Sequence, residues 1–96
     1  MKIPALHNKE LAYETGIHIG DGTMGIYPKS GNYQFLIFGN KVDEKSYFTK
    51  IIIPLLFKLY NIQPKLKEHE NTLFVSIYSK SLVKFKSEIL GLPLGN

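Results

Sequence analysis

Three small residues near the start of the chain have the spacing of a contact between two helix backbones. Gly16 and Gly20 are four residues apart and Ala12 precedes Gly16 by four, so on a helix they form one stripe with almost no side chains. Glycine inside a helix costs about 1 kcal/mol relative to alanine, so the pattern predicts that another backbone comes close. Two partners fit: the chain's own second helix, or the same helix of a second copy across a two-fold axis.

Asp21 follows this stripe, at the predicted C-terminal end of the helix. The helix macrodipole makes that end negative, which is unfavourable for a carboxylate. One interpretation is a turn-forming aspartate before Gly22. The other is a metal ligand, because a two-fold contact would bring two copies of Asp21 together. Mg²⁺ takes such oxygen ligands and keeps several waters, and the arrangement suits metal-assisted phosphodiester hydrolysis.

The elements that must position these residues follow the order αββαββα, in a single domain over residues 1–96. Asn8 is predicted to cap the first helix, Asp43 the second, and Ser79 or Ser81 a third helix that ends at Gly91. The predicted ranges are 9–20 and 43–60 for the first two helices and 23–29, 33–39, 63–68 and 72–78 for the strands. The fold class is α+β, with a four-stranded antiparallel sheet and helices on one face.

The second helix contains Pro54, which predicts a kink or a break. Its predicted core face and that of the third helix follow helical spacing. These positions are Phe48, Ile51, Ile52, Leu55, Leu56 and Leu59 in the second helix, and Leu82, Val83, Phe85, Ile89 and Leu90 in the third.

The composition fits a globular domain that binds a polyanion. The chain has 96 residues, of which 44% are hydrophobic and 21% charged. It has no cysteine, which excludes disulfides and thiolate metal sites. No apolar run is long enough for a membrane span and no signal segment is evident, so we expect a cytoplasmic protein without a membrane partner. The net charge is +4 and all twelve basic residues are lysines, so no bidentate arginine–guanine contact is available.

Residues 16–22, GIHIGDG, resemble the end of the LAGLIDADG motif of homing endonucleases. The element order matches that family's domain, and four later segments resemble its archaeal members, so the resemblance covers about residues 9–95. Those segments are YQFLI at 33–37, IPLL at 53–56, SKSLV at 79–83 and LGLP at 90–93.

The resemblance implies two domains paired through their motif helices, with the two sheets forming a saddle over the major groove of double-stranded DNA. It implies that Asp21 binds the divalent metal ions, expected to be Mg²⁺, that cleave both DNA strands. The Gly20 carbonyl would lie beside the metal. Ala12, Gly16 and Gly20 would form the dimer interface. A chain with one motif is expected to act as a homodimer, unless it is a fragment of a longer two-motif protein.

The sequence departs from the usual motif at Glu14, Thr15 and His18, where hydrophobic residues or alanine are more common. We interpret His18 as a packed or surface residue rather than a ligand. Family enzymes often place a polar or basic residue near the end of the second strand, close to the cleavage site. Lys41 is the catalytic candidate there, and Lys80 after the fourth strand is the other.

One face of the predicted sheet is expected to contact DNA. Leu66, Leu73, Val75 and Ile77 are predicted to face the helices, which leaves the alternate side chains outside. Exposed Phe74 and Tyr78 favour a ligand surface over an ordinary solvated face. Lysines would contact phosphates, and Asn32, Gln34 and Ser76 would contact bases. The full set of DNA-binding candidates is Tyr27, Lys29, Ser30, Asn32, Gln34, Lys65, Lys67, His69, Ser76 and Tyr78.

The leading hypothesis is therefore a homodimeric, Mg²⁺-dependent, site-specific DNA endonuclease. A non-cleaving DNA- or RNA-binding protein on the same fold, such as a splicing cofactor or regulator, is the alternative. A purely structural dimerisation domain is a third class, in which the glycine stripe matters and the basic sheet does not.

Overall fold

The computed structural model describes residues 1–27 and 31–95, and its first helix begins where the sequence predicts. The Asn8 side chain accepts hydrogen bonds from the backbone N–H groups of Glu10 and Leu11, at 2.7 and 3.2 Å. Helix α1 spans Lys9–Asp21. At Gly22 a Cβ atom would lie 2.9 Å from the His18 Cα, so glycine lets the helix pass directly into the first strand.

The fold is α+β as predicted, and its sheet has four antiparallel strands. These are β1 (Gly22–Tyr27), β2 (Asn32–Asn40), β3 (Leu66–His69) and β4 (Thr72–Tyr78), in the spatial order β1-β2-β4-β3. Strand β3 begins three residues later than predicted, after Pro64, which has no N–H to donate to a sheet. The turn between β3 and β4 has Glu70 in the left-handed region, with φ of 55°.

The second helical region consists of α2 (Lys45–Tyr47), a π-helical segment (Phe48–Ile52) and α3 (Ile53–Tyr60). Pro54 therefore does not break the helix. It lies in the first turn of α3, and a wider π turn precedes it, in which the Ile53 N–H donates to the Phe48 carbonyl.

The prediction that Asp43 caps this helix is wrong. Glu44 is the N-terminal cap residue, and its side chain makes no capping hydrogen bond. The Asn40 side chain instead holds the preceding turn, because its oxygen accepts from the backbone N–H groups of Val42 and Asp43 at 2.8 and 3.3 Å. The Glu44 carboxylate in turn accepts from the Asn40 backbone N–H at 3.0 Å.

The π turn also changes which residues face the core. Ile51, predicted to be buried, is 43% exposed, because the extra residue in the turn rotates the apolar stripe. Leu55 is half-buried. The buried residues of this region are Phe48, Ile52, Leu56, Leu59 and Tyr60.

The C-terminal helix shows the same effect. It consists of α4 (Lys80–Lys84), capped by the Ser79 side chain as predicted, and a π-helical segment (Phe85–Ile89). Ile89 is 60% exposed, which contradicts its predicted place in the core, and Lys86 is buried instead. The helix ends before Gly91, whose φ is +74°.

The core lies between the sheet and the helices, which all cover one face. Phe35 and Ile37 of β2 and Leu73 and Val75 of β4 are fully buried against it. A Cβ atom on Gly39 would overlap the Phe48 ring, so this glycine lets the second helical region approach the sheet. None of the helices in the described residues is long and apolar enough to cross a membrane.

Candidate active site and nucleic-acid interface

The glycine stripe of α1 faces away from the rest of the chain. Ala12, Gly16 and Gly20 are all exposed, and a Cβ atom added to Gly16 or Gly20 would meet nothing within 4 Å. The interpretation in which the stripe packs against the chain's own second helix is therefore wrong. The close approach that these glycines would permit is not used within one copy of the described chain.

Apolar side chains flank the stripe. Tyr13 lies three residues before Gly16 and Ile19 three residues after it, so both border the stripe on the helix surface. Tyr13 is 50% exposed and Ile19 is 71% exposed. The Tyr13 hydroxyl is hydrogen-bonded to the Tyr47 hydroxyl at 2.6 Å, which ties this side of α1 to α2.

The opposite face of α1 holds a buried ion pair. The Lys86 ammonium lies 2.6 and 2.7 Å from the two oxygens of Glu14, and both side chains are almost fully buried. The Tyr60 hydroxyl donates to the same carboxylate, and the ammonium also lies 4.7 Å from the centre of the Phe35 ring. These contacts join α1 to α3, to the C-terminal helix and to the sheet.

Burial governs the titration of this cluster. It lowers the pKa of the Lys86 ammonium, and the neighbouring Glu14 carboxylate opposes that shift. Burial and the same carboxylate raise the pKa of the Tyr60 hydroxyl far above its usual value, so the hydroxyl keeps its proton. The network was not predicted. The available signals were Glu14, at helical spacing from Leu11, and Lys86, inside the apolar stripe of the third helix.

His18 is packed in the core, one of the two non-ligand positions that the sequence left open. It is 3% exposed, and its ring lies 4.9 Å from the Phe35 ring, centre to centre. Burial, together with the positive charge of Lys86, lowers the pKa of His18 to about 4. Its Nδ1 atom is buried without a hydrogen-bond partner among the described residues.

Asp21 ends α1 with its side chain exposed, next to the open stripe. Its charge reaches Tyr47: the hydrogen bond with Tyr13 and burial raise the pKa of Tyr47 to about 12, and Asp21 adds to the shift. Within residues 1–27 and 31–95 no three His, Asp or Glu side chains are grouped closely enough to hold a metal. One exposed carboxylate fits Mg²⁺ only when a second copy or substrate phosphates complete the shell.

The two catalytic lysine candidates lie at opposite ends of the sheet. Gly22 pairs with Ile37, so Asp21 lies at the end where β2 finishes and Lys41 follows. Lys41 forms an ion pair with Glu68 at 3.3 Å. Lys80 follows the far end of β4, where its ammonium lies 5.7 Å from the centre of the Tyr33 ring. The placement therefore favours Lys41 over Lys80 as a neighbour of Asp21.

Most of the predicted DNA-binding side chains share the open face of the sheet. Strand pairing places Gln34 beside Tyr78 and beside Gly25, and places Lys67 beside Phe74. By the same register and the alternation of strands, the face carries Tyr27, Asn32, Gln34, Lys67, His69, Ser76 and Tyr78. Lys65 is exposed just before β3. Lys29 and Ser30 lie outside the described residues.

Two side-chain clusters define this face. The Gln34 amide nitrogen donates to the Ser76 hydroxyl and the Tyr78 hydroxyl, both at 3.0 Å, which orders three polar groups across β2 and β4. Nearer Asp21, the rings of Phe38 and Phe74 lie 6.0 Å apart. Phe38 was not predicted to lie on this face, although it is two residues from Leu36 and four from Gln34 and therefore shares their side of β2.

Solved structures share this architecture at low sequence identity. A complex of I-DmoI with DNA and Mn superposes with a TM-score of 0.62, at 23% identity over 85% of this chain and 49% of that chain. A variant of I-DmoI bound to its target DNA in the presence of Mg gives 0.64, at 20% identity over 88% and 52%. The homing endonuclease I-TnaI gives 0.54, at 20% identity over 93% and 63%.

The chain has the LAGLIDADG homing-endonuclease fold. Neither a protein-family model nor a curated protein sequence matches it. This chain spans about half the length of the I-DmoI chains that it matches.

Proposed function

We propose that this chain belongs to the LAGLIDADG homing endonucleases and cuts double-stranded DNA as a metal-dependent homodimer. The observation that carries the proposal is the open stripe of α1, which ends at an exposed carboxylate. The I-DmoI structures with DNA and Mn or Mg support DNA as the substrate and a divalent metal as the cofactor. The motif residues at 16–22 and the open, lysine-bordered sheet support it as well.

The dimer is supported by the free energy that the glycines of the stripe cost the helix. Each glycine in the interior of α1 lowers helix stability by about 1 kcal/mol, and no close packing within the described chain offsets this. Two copies that meet through Ala12, Gly16 and Gly20 would bury the flanking Tyr13 and Ile19. If the chain is one half of a two-motif protein, the second motif helix would occupy the same surface.

The metal site would form where the two helices end together. Asp21 of each copy would supply a carboxylate oxygen, and the Gly20 carbonyl would lie beside it. A bound Mg²⁺ would polarise the scissile phosphate and lower the pKa of a bound water. The role of this chain is to hold two like charges close together, an arrangement whose repulsion only a cation or a proton relieves.

Lysines would position the DNA. Lys65 and Lys67 would contact phosphates along the sheet, and Gln34, Ser76 and Asn32 would contact base edges in the major groove. Lys41 would reach the cleavage site by exchanging Glu68 for a phosphate. Tyr27, Tyr78 and His69 complete the DNA surface of the described residues, and Lys29 and Ser30 follow β1 in the sequence.

Cleavage of a randomised duplex library with Mg²⁺ tests the proposal. The parent protein should produce a defined set of cut sequences, and chelation should abolish cutting. Asp21→Asn keeps the side-chain size but gives up the charge that a hard cation needs, so it should lose cleavage and keep DNA binding. Asp43→Asn is the matched control, because Asp43 is exposed and lies outside the stripe.

Loss of cleavage in both variants, or in neither, would contradict the assignment of Asp21. A second candidate function is a non-cleaving nucleic-acid binder, which the ion pair of Lys41 with Glu68 favours. It becomes the better account if the parent protein binds DNA and cuts no member of the library at any Mg²⁺ or Mn²⁺ concentration.

A further inference from the structure

The open face of the sheet has two chemically different ends. At one end the Gln34 amide joins the hydroxyls of Ser76 and Tyr78 in a polar cluster. At the other end Phe38 and Phe74 form an aromatic cluster, with ring centres 6.0 Å apart and planes tilted by 40°. Both clusters lie on the side of the sheet opposite the helices, so neither belongs to the core.

The aromatic cluster has the form of an interaction site. Phe38 is 41% exposed on the side of the sheet that the helices leave open. The two rings line an open groove of about 960 Å³, together with Lys67, Glu68, His69 and Thr72. The Glu68 carboxylate is neutralised by ion pairs with Lys41 and Lys45. An exposed apolar patch with a polar rim is typical of a binding surface.

The charges beside the rings select the partner. Lys67 pairs with Phe74 across the sheet, and Lys65 is exposed just before β3. A basic border favours a polyanion over another apolar protein surface. In duplex DNA the apolar group on the base edges of the major groove is the 5-methyl group of thymine, and phenylalanine contacts it.

We propose that Phe38 and Phe74 recognise thymine methyl groups in the base pairs nearest the cleavage site. The inference rests on the DNA-binding function proposed above and adds a specificity element to it. Gly22, next to Asp21, pairs with Ile37, which precedes Phe38, so the aromatic cluster lies at the Asp21 end of the sheet.

The distance between the two clusters predicts how far apart on the DNA the base pairs that they contact lie. Phe38 and Gln34 are four residues apart on β2, or about 13 Å at the usual rise of a strand. Consecutive nucleotides of one DNA strand are about 3.4 Å apart along the axis, so the clusters would address base pairs about four steps apart. Each half-site should therefore carry a thymine about four base pairs inside the positions that Gln34 and its neighbours contact.

Replacing thymine by deoxyuridine tests this directly. A randomised duplex library is amplified with dTTP and selected for binding to the parent protein in a gel shift. The selected pool is then amplified again with dUTP, which removes the methyl groups and leaves the hydrogen-bonding edges unchanged. Affinity should fall about fourfold for each contacted methyl, or about 16-fold for one methyl in each half-site.

Variants assign the effect to the rings. Phe38→Ser and Phe74→Ser should each reduce the preference for the thymine pool, and the double serine variant should bind both pools alike, with folding checked by urea denaturation. Phe38→Leu should keep most of the preference. Tyr78→Phe is the matched control: it removes a hydroxyl from the polar cluster, so it should weaken binding to both pools and keep their ratio. A fresh selection with Phe38→Ser should lose the inner thymine.

Several results would overturn the inference. Equal affinity of the parent protein for the two pools, or a deoxyuridine penalty that persists in the double serine variant, would contradict the methyl contact and leave the proposed DNA-binding function in place. A change of oligomeric state in the serine variants without DNA would make the patch a protein contact. Absence of binding to either pool would overturn the inference together with the DNA-binding function.

Discussion

The two faces of α1 differ in burial and in composition, although their residues are only a few positions apart. The inner face places Glu14 and His18 among core residues and holds the carboxylate with Lys86 and Tyr60. The outer face presents Gly16 and Gly20 to open space. A charge is therefore buried where hydrophobic residues usually lie, and an almost bare backbone is exposed where polar side chains usually lie.

The difference shows that α1 is fixed from inside so that its outer face can remain bare. Glycines weaken the helix, and contacts from three other elements hold the inner face in place. These come from Tyr60 of α3, from Phe35 of β2 and from Lys86 of the C-terminal helix. The outer face can then meet a second copy without changing the fold of the first.

Breaking the inner ion pair should have the largest effect. Lys86→Met leaves the Glu14 carboxylate buried without its cation, so the free energy of unfolding should fall by about 3–5 kcal/mol. The double variant Glu14→Leu with Lys86→Met removes both charges and should recover most of that loss. Urea denaturation of the parent, the two single variants and the double variant, as a double-mutant cycle, measures the coupling free energy between the two side chains. Losses that simply add would show that the pair contributes nothing.

A bulky residue on the outer face should act on assembly rather than on folding. Gly16→Leu adds a side chain where a Cβ atom meets nothing within one copy, so each subunit should fold normally. The added volume would separate the two helices and cost about 3 kcal/mol, or about 100-fold in the dimer dissociation constant. Sedimentation equilibrium checks this, with exposed Ser81→Leu as the control. An unchanged dimer would place the contact elsewhere.

Acidification should weaken the inner face through His18. The folded-state pKa of about 4 lies below the usual histidine pKa of 6.5. The unfolded chain therefore binds the proton first, and stability falls as the pH drops from 6.5 towards 4. From pH 7.5 to pH 5 we expect a loss of about 2 kcal/mol that His18→Leu does not show. Urea denaturation at both pH values with chelator measures the difference, and equal pH slopes would contradict the assignment.

The smallest expected effect is that of removing one sheet lysine, Lys67, on the salt dependence of DNA binding. The parent dimer should lose about 10³- to 10⁵-fold in affinity between about 50 and 200 mM salt if it contacts six to ten phosphates. Lys67→Ala should reduce the slope by about 1.8, because two copies each lose one contact. Lys84→Ala, on the helix side, should leave the slope unchanged. Fluorescence anisotropy across a salt series gives the slopes, and salt-independent binding would exclude the basic-sheet interface.

Local signals predicted most of the fold from the sequence. Asn8 and Ser79 cap their helices through side-chain bonds to residues two or three positions away, and alternation along β4 sorts its side chains correctly. The π turns were not predictable in the same way, because they depend on how Pro54 and the packing against the sheet are accommodated together. They moved Ile51 and Ile89 out of the core.

The site was predicted less completely, because its decisive features are long-range. Glu14 and Lys86 are 72 residues apart in the chain, and nothing local predicts that they meet. The spacing of Gly16 and Gly20 predicted a close contact but left its partner open. Only the folded chain shows that the stripe is not covered by α3.

A cysteine cross-link tests most directly whether two copies meet through the outer face of α1. The chain has no cysteine, so a single Gly16→Cys substitution introduces the only thiol, on a surface where its Cβ atom meets nothing within one copy. A disulfide needs Cα atoms about 4.4–6.8 Å apart, which two helices reach when they cross at this residue. Under mild oxidation Gly16→Cys should form a covalent dimer rapidly and almost completely, while exposed Ser81→Cys should not. Equal rates of cross-linking in the two variants would contradict the dimer that places the two copies of Asp21 together.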